Sequence, residues 1–529
     1  MKKNIYILLM ICAGALLTTS CLDDLDQLPH KETTSSDVYA EAANYKAVLG
    51  KIYVSFVING QEKGGGNKQD LGSNMKQDYM RCYFNLQECG TDEIASTWLE
   101  GDKVGDLTYL SWDANDPWVS DMYYRIFYNI ALCNEFLRYA GDNQISGFTE
   151  AEQAEIRSYR AEVKFLRALA YYHALDLFRN IPFVTENDPV GAYLPPRYEA
   201  AQVFEFIETE IKDIEEALLN REQTEYGRAP RAAAWALLAR MYLNAQVYIG
   251  QPRYTECITY CNKIIGEGYT LEPEYTKLFN ADNHKRTNEI IFTFPVDAEH
   301  TVSWGATTYV ICGAVGNSSD YMKPEDYGVA SAWGMFRVRG ELPDKFTAND
   351  GRALFFTEGQ TQYLDAVDNQ SYGYFAEKWT NLTDAGEAAS NTAADGVSTD
   401  YPVFRLADVY LMLAEAVVRG GTGSSTSVAL GYVNQIRQRA FGDNYEADGR
   451  IREDELTAAL ILDERARELY WECTRRTDLI RYGQFTTADY LWQWKGGVKD
   501  GKSVDSKFNI YPIPTTDLTA NPNLYNENY

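Results

Sequence analysis

Phe404-Arg405-Leu406-Ala407-Asp408-Val409-Tyr410-Leu411 leads into Ala414-Glu415-Ala416. Asn434-Gln435-Ile436-Arg437-Gln438-Arg439 follows, then Glu464-Arg465-Ala466-Arg467-Glu468-Leu469, then Arg476-Thr477-Asp478-Leu479-Ile480-Arg481. Tyr511-Pro512-Ile513-Pro514 and Asn521-Pro522-Asn523-Leu524 close the block. The apolar spacing predicts helices over 404–419, 427–441 and 453–475. Glu464, Arg465, Arg467 and Glu468 stand at helical spacing, where charges three and four apart pair along a surface. Their expected role is structural, not catalytic.

Ahead of this block the pattern changes. Residues 296–400 hold Gly, Ser, Thr, Trp and Tyr in short irregular runs, and an insert that long is more often functional than decorative. Before it the helical signal returns. The clearest helix covers 149–179: Thr149 and Glu152 form a capping box, and Ile156, Tyr159, Val163, Leu166 and Ala170 recur along one stripe. His173 and Leu177 continue the stripe, so His173 reads as a core histidine rather than a ligand, and Asn180-Ile181-Pro182 stops the helix. Further helices are predicted over 37–57, 120–140, 200–219, 229–248 and 254–265, with Ala232, Ala233, Ala234 and Ala239 allowing close approach. Paired antiparallel helices of this kind suggest tetratricopeptide-like units. Residues 59–74, with Gly64-Gly65-Gly66, read as a long loop, and 81–118 as aromatics in non-helical context around Trp98, Trp112 and Trp118.

The start of the chain sets its compartment. Lys2-Lys3 precede an apolar run over 5–17, then Thr18-Thr19-Ser20 and Cys21. That run is shorter than the roughly 20 residues a bilayer span needs, so it reads as an export signal. A cysteine directly behind small residues resembles a bacterial lipobox, in which Cys21 is lipidated. The competing reading is an ordinary secretory signal with a cysteine nearby; the acidic Leu22-Asp23-Asp24-Leu25-Asp26 favours the lipoprotein. The formal net charge is −27, and loss of Lys2 and Lys3 with the signal lowers it by two, to −29. Such a polyanion is a poor partner for nucleic acid or anionic headgroups, whereas neutral ligands meet no such penalty. Cys82, Cys89, Cys133, Cys257, Cys261, Cys312 and Cys473 form no CxxC pair, and the four His do not cluster with them, which argues against zinc. Buried free thiols are the expectation.

The order, spacing and identity of the C-terminal strings, together with the lipobox and acidic start, resemble the RagB/SusD family over the whole mature chain. Phe485-Thr486-Thr487 through Leu491-Trp492-Gln493-Trp494-Lys495-Gly496-Gly497 is similar to the family's starch-binding member in particular. The resemblance implies a mostly α fold, with four tetratricopeptide-like helix pairs supporting a large irregular, loop-rich ligand-binding face. On that basis 1–20 is the signal peptide, 21–36 an acidic tether and 37–529 a single domain. Its scaffold is expected at about 37–58, 120–295 and 403–481, and its ligand face at about 59–118, 296–402 and 482–529. The resemblance also implies an outer-membrane lipoprotein facing the medium, and a SusC-like TonB-dependent transporter as partner.

By the same resemblance the ligand site is an arc of aromatic rings with hydrogen-bonding groups at its edge. Sugar rings lay apolar C–H faces on indole or phenol faces, and their hydroxyls need polar partners. Arg81, in Tyr79-Met80-Arg81-Cys82-Tyr83-Phe84, falls at the family's contacting arginine. Trp98 and Trp333 match arc tryptophans, and Trp304 falls where the arc has a tyrosine. Two positions depart: Ser96 replaces an arc tryptophan, and Gly101-Asp102 stands where a contacting asparagine is expected, which makes Asp102 the edge candidate. Core packing competes as a reading for every tryptophan, and fits Trp112 and Trp118 better. Asp282, Asn283, Asn288 and Glu289 fall where the starch binder has a longer acidic loop suited to calcium. Here His284, Lys285 and Arg286 intrude, so calcium is the less supported reading and no cofactor is expected.

The expectation is a non-catalytic, cell-surface glycan-binding lipoprotein that captures oligosaccharides, a starch-like α-glucan first, and passes them to the transporter. A surface glycoside hydrolase is the enzymatic alternative. It would need two carboxylates roughly 5–10 Å apart across the bond, and no motif marks such a pair. A RagB-like peptide importer is the other.

Overall fold

Thr149 opens the longest helix as the sequence dictates. Its backbone N–H donates to the Glu152 carboxylate at 2.9 Å and its hydroxyl accepts from the Glu152 N–H at 3.4 Å. The helix runs Glu150–Phe178, buries the predicted stripe, and from Ala168 onward is buried on all sides. Arg179 then turns left-handed (φ +67°), and Ile181–Pro182 pairs antiparallel with Arg197–Tyr198. His173 lies inside, 2.7 Å from the Tyr79 hydroxyl.

The computed structural model describes residues 34–60, 69–72, 74–316, 322–389, 396–527 and 529. The signal, Cys21, most of the tether and the triple glycine lie outside the described residues. In chain order the main helices are α1 (Ala42–Val54), α2 (Tyr79–Glu88), α3 (Pro117–Tyr139), α4 (Glu150–Phe178), α5 (Ala200–Ile214), α6 (Arg231–Leu243), α7 (Tyr254–Gly266), α8 (Ala306–Ala314), α9 (Leu406–Val418), α10 (Thr426–Phe441), α11 (Ala458–Leu469) and α12 (Arg475–Arg481). Strands are few and short; those that matter are β1 (Ile94–Ser96), β2 (Ile290–Phe294), β3 (Phe336–Val338) and β4 (Tyr401–Arg405). The fold is therefore mostly α. Helices pack in succession, α3 on α4, α4 on α5, α6 on α7, α7 on α9 and α9 on α10, a sequence that fits stacked helix pairs. No described helix is long and apolar enough to cross a membrane.

Several expected elements differ. The helix over 37–57 is broken: Ser35–Val38 is capped by Thr34, a turn follows, and α1 starts afresh at Ala42. Tyr39, in that turn, stacks on Tyr139 and edges onto Tyr45 and Phe136, so tertiary packing decides the break. The helix over 229–248 divides at Asn244, whose side-chain amide donates to the Arg240 carbonyl. α2 lies in a region expected as loop, and α8 in the irregular insert. All ten residues of α2 and all nine of α8 are buried, so neither short helix shows a solvent face, and the polar side of α2 meets protein rather than water.

The helix over 453–475 is interrupted between α11 and α12. Trp471 and Cys473 turn left-handed there because their N–H groups donate to buried carboxylates, Glu93 at 2.9 Å and Glu88 at 2.6 Å. Phe404 and Arg405 belong to β4, paired with β2, rather than to a helix. The charges on α11 hold an interior, not a surface. Glu464 pairs with Arg352, Arg437 and Arg467, and Glu468 with Arg352, Arg405 and Arg439, all with little or no exposure.

Candidate functional site

A two-stranded ribbon aims two tryptophans at one place. β1 and β3 pair antiparallel with Ser96 opposite Phe336, and the Thr97 N–H extends the ladder to the Met335 carbonyl at 2.7 Å. Trp98 directly follows Thr97 on one strand, and Trp333 lies two residues before Met335 on the other. Their rings stack with centroids 6.3 Å apart and planes 27° from parallel. Trp333 is fixed from behind: its N–H donates to the Cys312 carbonyl on α8 at 2.7 Å, and Gly334, at φ +56°, donates to the Val315 carbonyl at 2.8 Å.

Trp304 stands in the turn that enters α8 and is 40% exposed; Trp98 is 36% exposed, so both indoles present surface to ligand while staying anchored. Among the described residues Trp304 makes no ring contact with the other two indoles. All three line one cavity of about 400 Å³ together with Gln77, Arg81, Asp102 and Ser331. Pockets of this size suit ligands of a few rings.

Arg81 comes from the first turn of α2. The sequence reading places it at the edge of the aromatic site; it lines the cavity while being almost wholly buried. Its Nη1 donates to the Trp304 carbonyl at 2.9 Å, and its Nη2 bridges both Asp102 oxygens at 3.0 and 2.9 Å. The guanidinium lies 4.1 Å from the centre of the Tyr309 ring and 6.0 Å from that of Trp333. Burial works against this charge; Tyr309 and Asp102 outweigh it and hold Arg81 protonated above its usual value. Burial likewise raises the Asp102 carboxyl, with Arg81 opposing. The Asp102 carbonyl also accepts from Trp118 Nε1 at 2.7 Å, so this pair ties the turn at 98–102 to the core.

The structure thus gathers Arg81, Trp98, Asp102, Trp304 and Trp333 around one space. Ser96 is fully buried in the ribbon, where its hydroxyl accepts from the Trp98 N–H, so it offers nothing to the cavity. Trp112 and Trp118 are core, as expected. The sequence reading missed Gln77 and Ser331. Gln77 directly precedes Asp78, the N-cap of α2, and would have been found had that buried helix been legible. Ser331 lies two residues before Trp333, and among the described residues its hydroxyl has no protein partner.

The residues weighed for calcium do not form a cage. Asp282 pairs with Lys285 and accepts from the Asp384 N–H, Asn283 bonds the backbone at Leu278 and Asp400, and Glu289 pairs with Arg405 and Arg439. The Asn283 amide oxygen accepts from the Asp400 N–H at 3.1 Å, so the side-chain oxygens of Asp282, Asn283 and Glu289 each meet a protein partner. The seven cysteines in the described region are buried and unbridged.

Two family descriptions match the chain: "SusD family" over residues 356–529 and "Starch-binding associating with outer membrane" over residues 24–243. Starch-binding protein SusD of Bacteroides thetaiotaomicron is 33% identical over 580 aligned positions, spanning 100% of this chain and 99% of that one. Among solved structures, surface glycan-binding protein A of Bacteroides thetaiotaomicron, in complex with laminarihexaose, superposes with TM-score 0.69 at 19% identity, covering 92% of this chain and 99% of that one. A SusD superfamily protein of Parabacteroides distasonis superposes with TM-score 0.70 at 22% identity over the same shares. The structural likenesses speak for the fold; the full-length identity, beside the two family matches, means that the chain belongs to the SusD family.

Proposed function

We propose that this protein is a non-catalytic, cell-surface glycan-binding lipoprotein. It captures oligosaccharides in the tryptophan-lined cavity and hands them to a SusC-like TonB-dependent transporter in the outer membrane, held there by a lipid on Cys21. The observation that carries this is the stacked Trp98–Trp333 pair sharing a cavity with the exposed Trp304. Flat apolar faces with polar groups at their rim suit a neutral sugar chain. A starch-like α-glucan is the first substrate, by kinship with the starch-binding relative. Among the described residues Asp102 is the one carboxylate lining the cavity, and Arg81 holds it; glycoside hydrolysis asks for two acting across one bond.

The test is a binding screen of the mature chain against maltoheptaose, laminarihexaose, other oligosaccharides and oligopeptides, with product analysis for new reducing ends. Oligosaccharide binding without new ends is the expected result. Peptide binding alone would favour the importer reading, and released reducing ends a hydrolase. For the anchor, Cys21→Ala should move the protein out of the membrane fraction and abolish palmitate labelling, since stable attachment rests on acyl chains. Persistent labelling of that variant would refute the anchor.

A further inference from the structure

Asp78 never reaches the cavity, yet it touches everything that frames Trp304. It is fully buried and caps α2, accepting from the Arg81 N–H at 2.8 Å. The same Oδ1 accepts from the N–H of Ala306, the first residue of α8, at 3.3 Å, and Oδ2 accepts from the Ser303 hydroxyl at 2.9 Å. One carboxylate therefore joins the N-terminal ends of two helices, where both dipoles favour negative charge. The Trp304 turn lies between its two attachment points on that side.

The turn is strained and tight. Ala306 sits at φ +44°, a region that non-glycine residues seldom enter unless the surroundings hold them there. A Cβ on Gly305 would lie 1.5 Å from Asp78 Oδ2, so glycine is what lets the carboxylate approach. Arg81, one turn along α2 from Asp78, adds the bond to the Trp304 carbonyl.

We propose that Asp78 is a positioning residue for the aromatic site: it fixes the turn 303–306 against α2 and so sets where the Trp304 indole stands relative to the Trp98–Trp333 pair. Its consequence for binding rests on the glycan reading above; the positioning itself does not. The test uses the mature chain labelled with 5-fluorotryptophan, with the Trp304 fluorine resonance assigned from Trp304→Phe. In Asp78→Ala that resonance should split or broaden while those of Trp112 and Trp379, in the core, stay in place; Asp78→Asn should restore part of the sharp signal. Ser303→Ala removes one link and should give a weaker version of the same change, which serves if Asp78→Ala does not fold. An unchanged Trp304 resonance in the folded variants overturns the proposal.

Calorimetric titration with maltoheptaose supplies the second readout. Asp78→Ala should weaken binding by about tenfold, and in a Trp304→Ala background it should weaken it no further. A further tenfold loss in that background overturns the route through Trp304. Trp98→Ala is the control on the site itself: wild-type affinity in that variant sinks the glycan reading, while the fluorine spectra still decide the role of Asp78.

Discussion

Trp333 and Arg81 sit side by side in the cavity wall but hold it in different ways. Trp333 offers a ring face stacked on Trp98, and its backbone is pinned to α8, so trimming the side chain removes surface without freeing the chain. One sugar-stacking face is worth roughly 1–2 kcal/mol. Trp333→Ala should therefore weaken glycan binding about tenfold in calorimetric titration, with thermal unfolding little changed. Arg81 makes three charge-assisted or backbone bonds inside the protein. Arg81→Ala would leave Asp102 without its partner, and breaking such a pair costs several kcal/mol when buried, less here because the Asp102 side chain is 14% exposed: about 2–3 kcal/mol in urea unfolding. Arg81→Ala with Asp102→Ala should recover part of that loss, because no charge is then stranded. If Arg81→Ala unfolds like wild type, the guanidinium is not a strut.

At the scale of elements, legibility followed helix length and capping. α4 announced itself through its capping box and single stripe, and α3, α7 and α10 through their apolar spacing. α2 and α8 did not: they are ten and nine residues long, and in α2 the polar Arg81, Asn85, Gln87 and Glu88 are as buried as the apolar residues around them. These two silent helices carry the site: α2 supplies Arg81, and α8 anchors Trp304 and Trp333. The site tryptophans were therefore found by motif resemblance, not by periodicity. Glu464 and Glu468 show the same limit, since helical spacing gives a pair of charges but not whether water or protein surrounds them. In the fold Glu468 fastens α11 to β4 through Arg405, to α10 through Arg439, and to the loop at 352 through Arg352. Glu468→Gln should cost roughly 3–5 kcal/mol in urea unfolding, the size expected for leaving buried charges unpaired. A loss under 1 kcal/mol would mean that the three arginines are satisfied by their other carboxylates alone.

Across the whole molecule, buried carboxylates of two kinds set the response to pH. Around Glu468 and Glu415 burial alone would raise the pKa, but Arg439, Arg405 and Arg352 in one case and Arg481 and Arg419 in the other outweigh it, and both fall to about 2. Groups lowered on folding stabilise above their ordinary value of 4.5, and that stability is lost as pH falls from there towards about 2. Glu88 and Glu93 go the other way. Burial raises both; the Glu93 charge pushes Glu88 up further, while for Glu93 Arg475 and Lys378 pull down and Asp92 pushes up, and it reaches about 7. Groups raised on folding stabilise fully below 4.5, and that stability is lost as pH climbs through about 7. Asp116, near 7, and Asp400, near 6, act in the same direction. Net charge −27 adds self-repulsion that also grows with pH, but salt screens that part and not a buried pair. Thermal unfolding should therefore peak at about pH 4.5–5 and decline on both sides, with the decline from 5 to 8 surviving added salt. Glu93→Gln keeps an acceptor for the Trp471 N–H yet cannot ionise, so it should flatten that decline and leave the acid side unchanged. A slope between pH 5 and 8 identical to wild type would show that the proton on this pair is not what the alkaline limb reports.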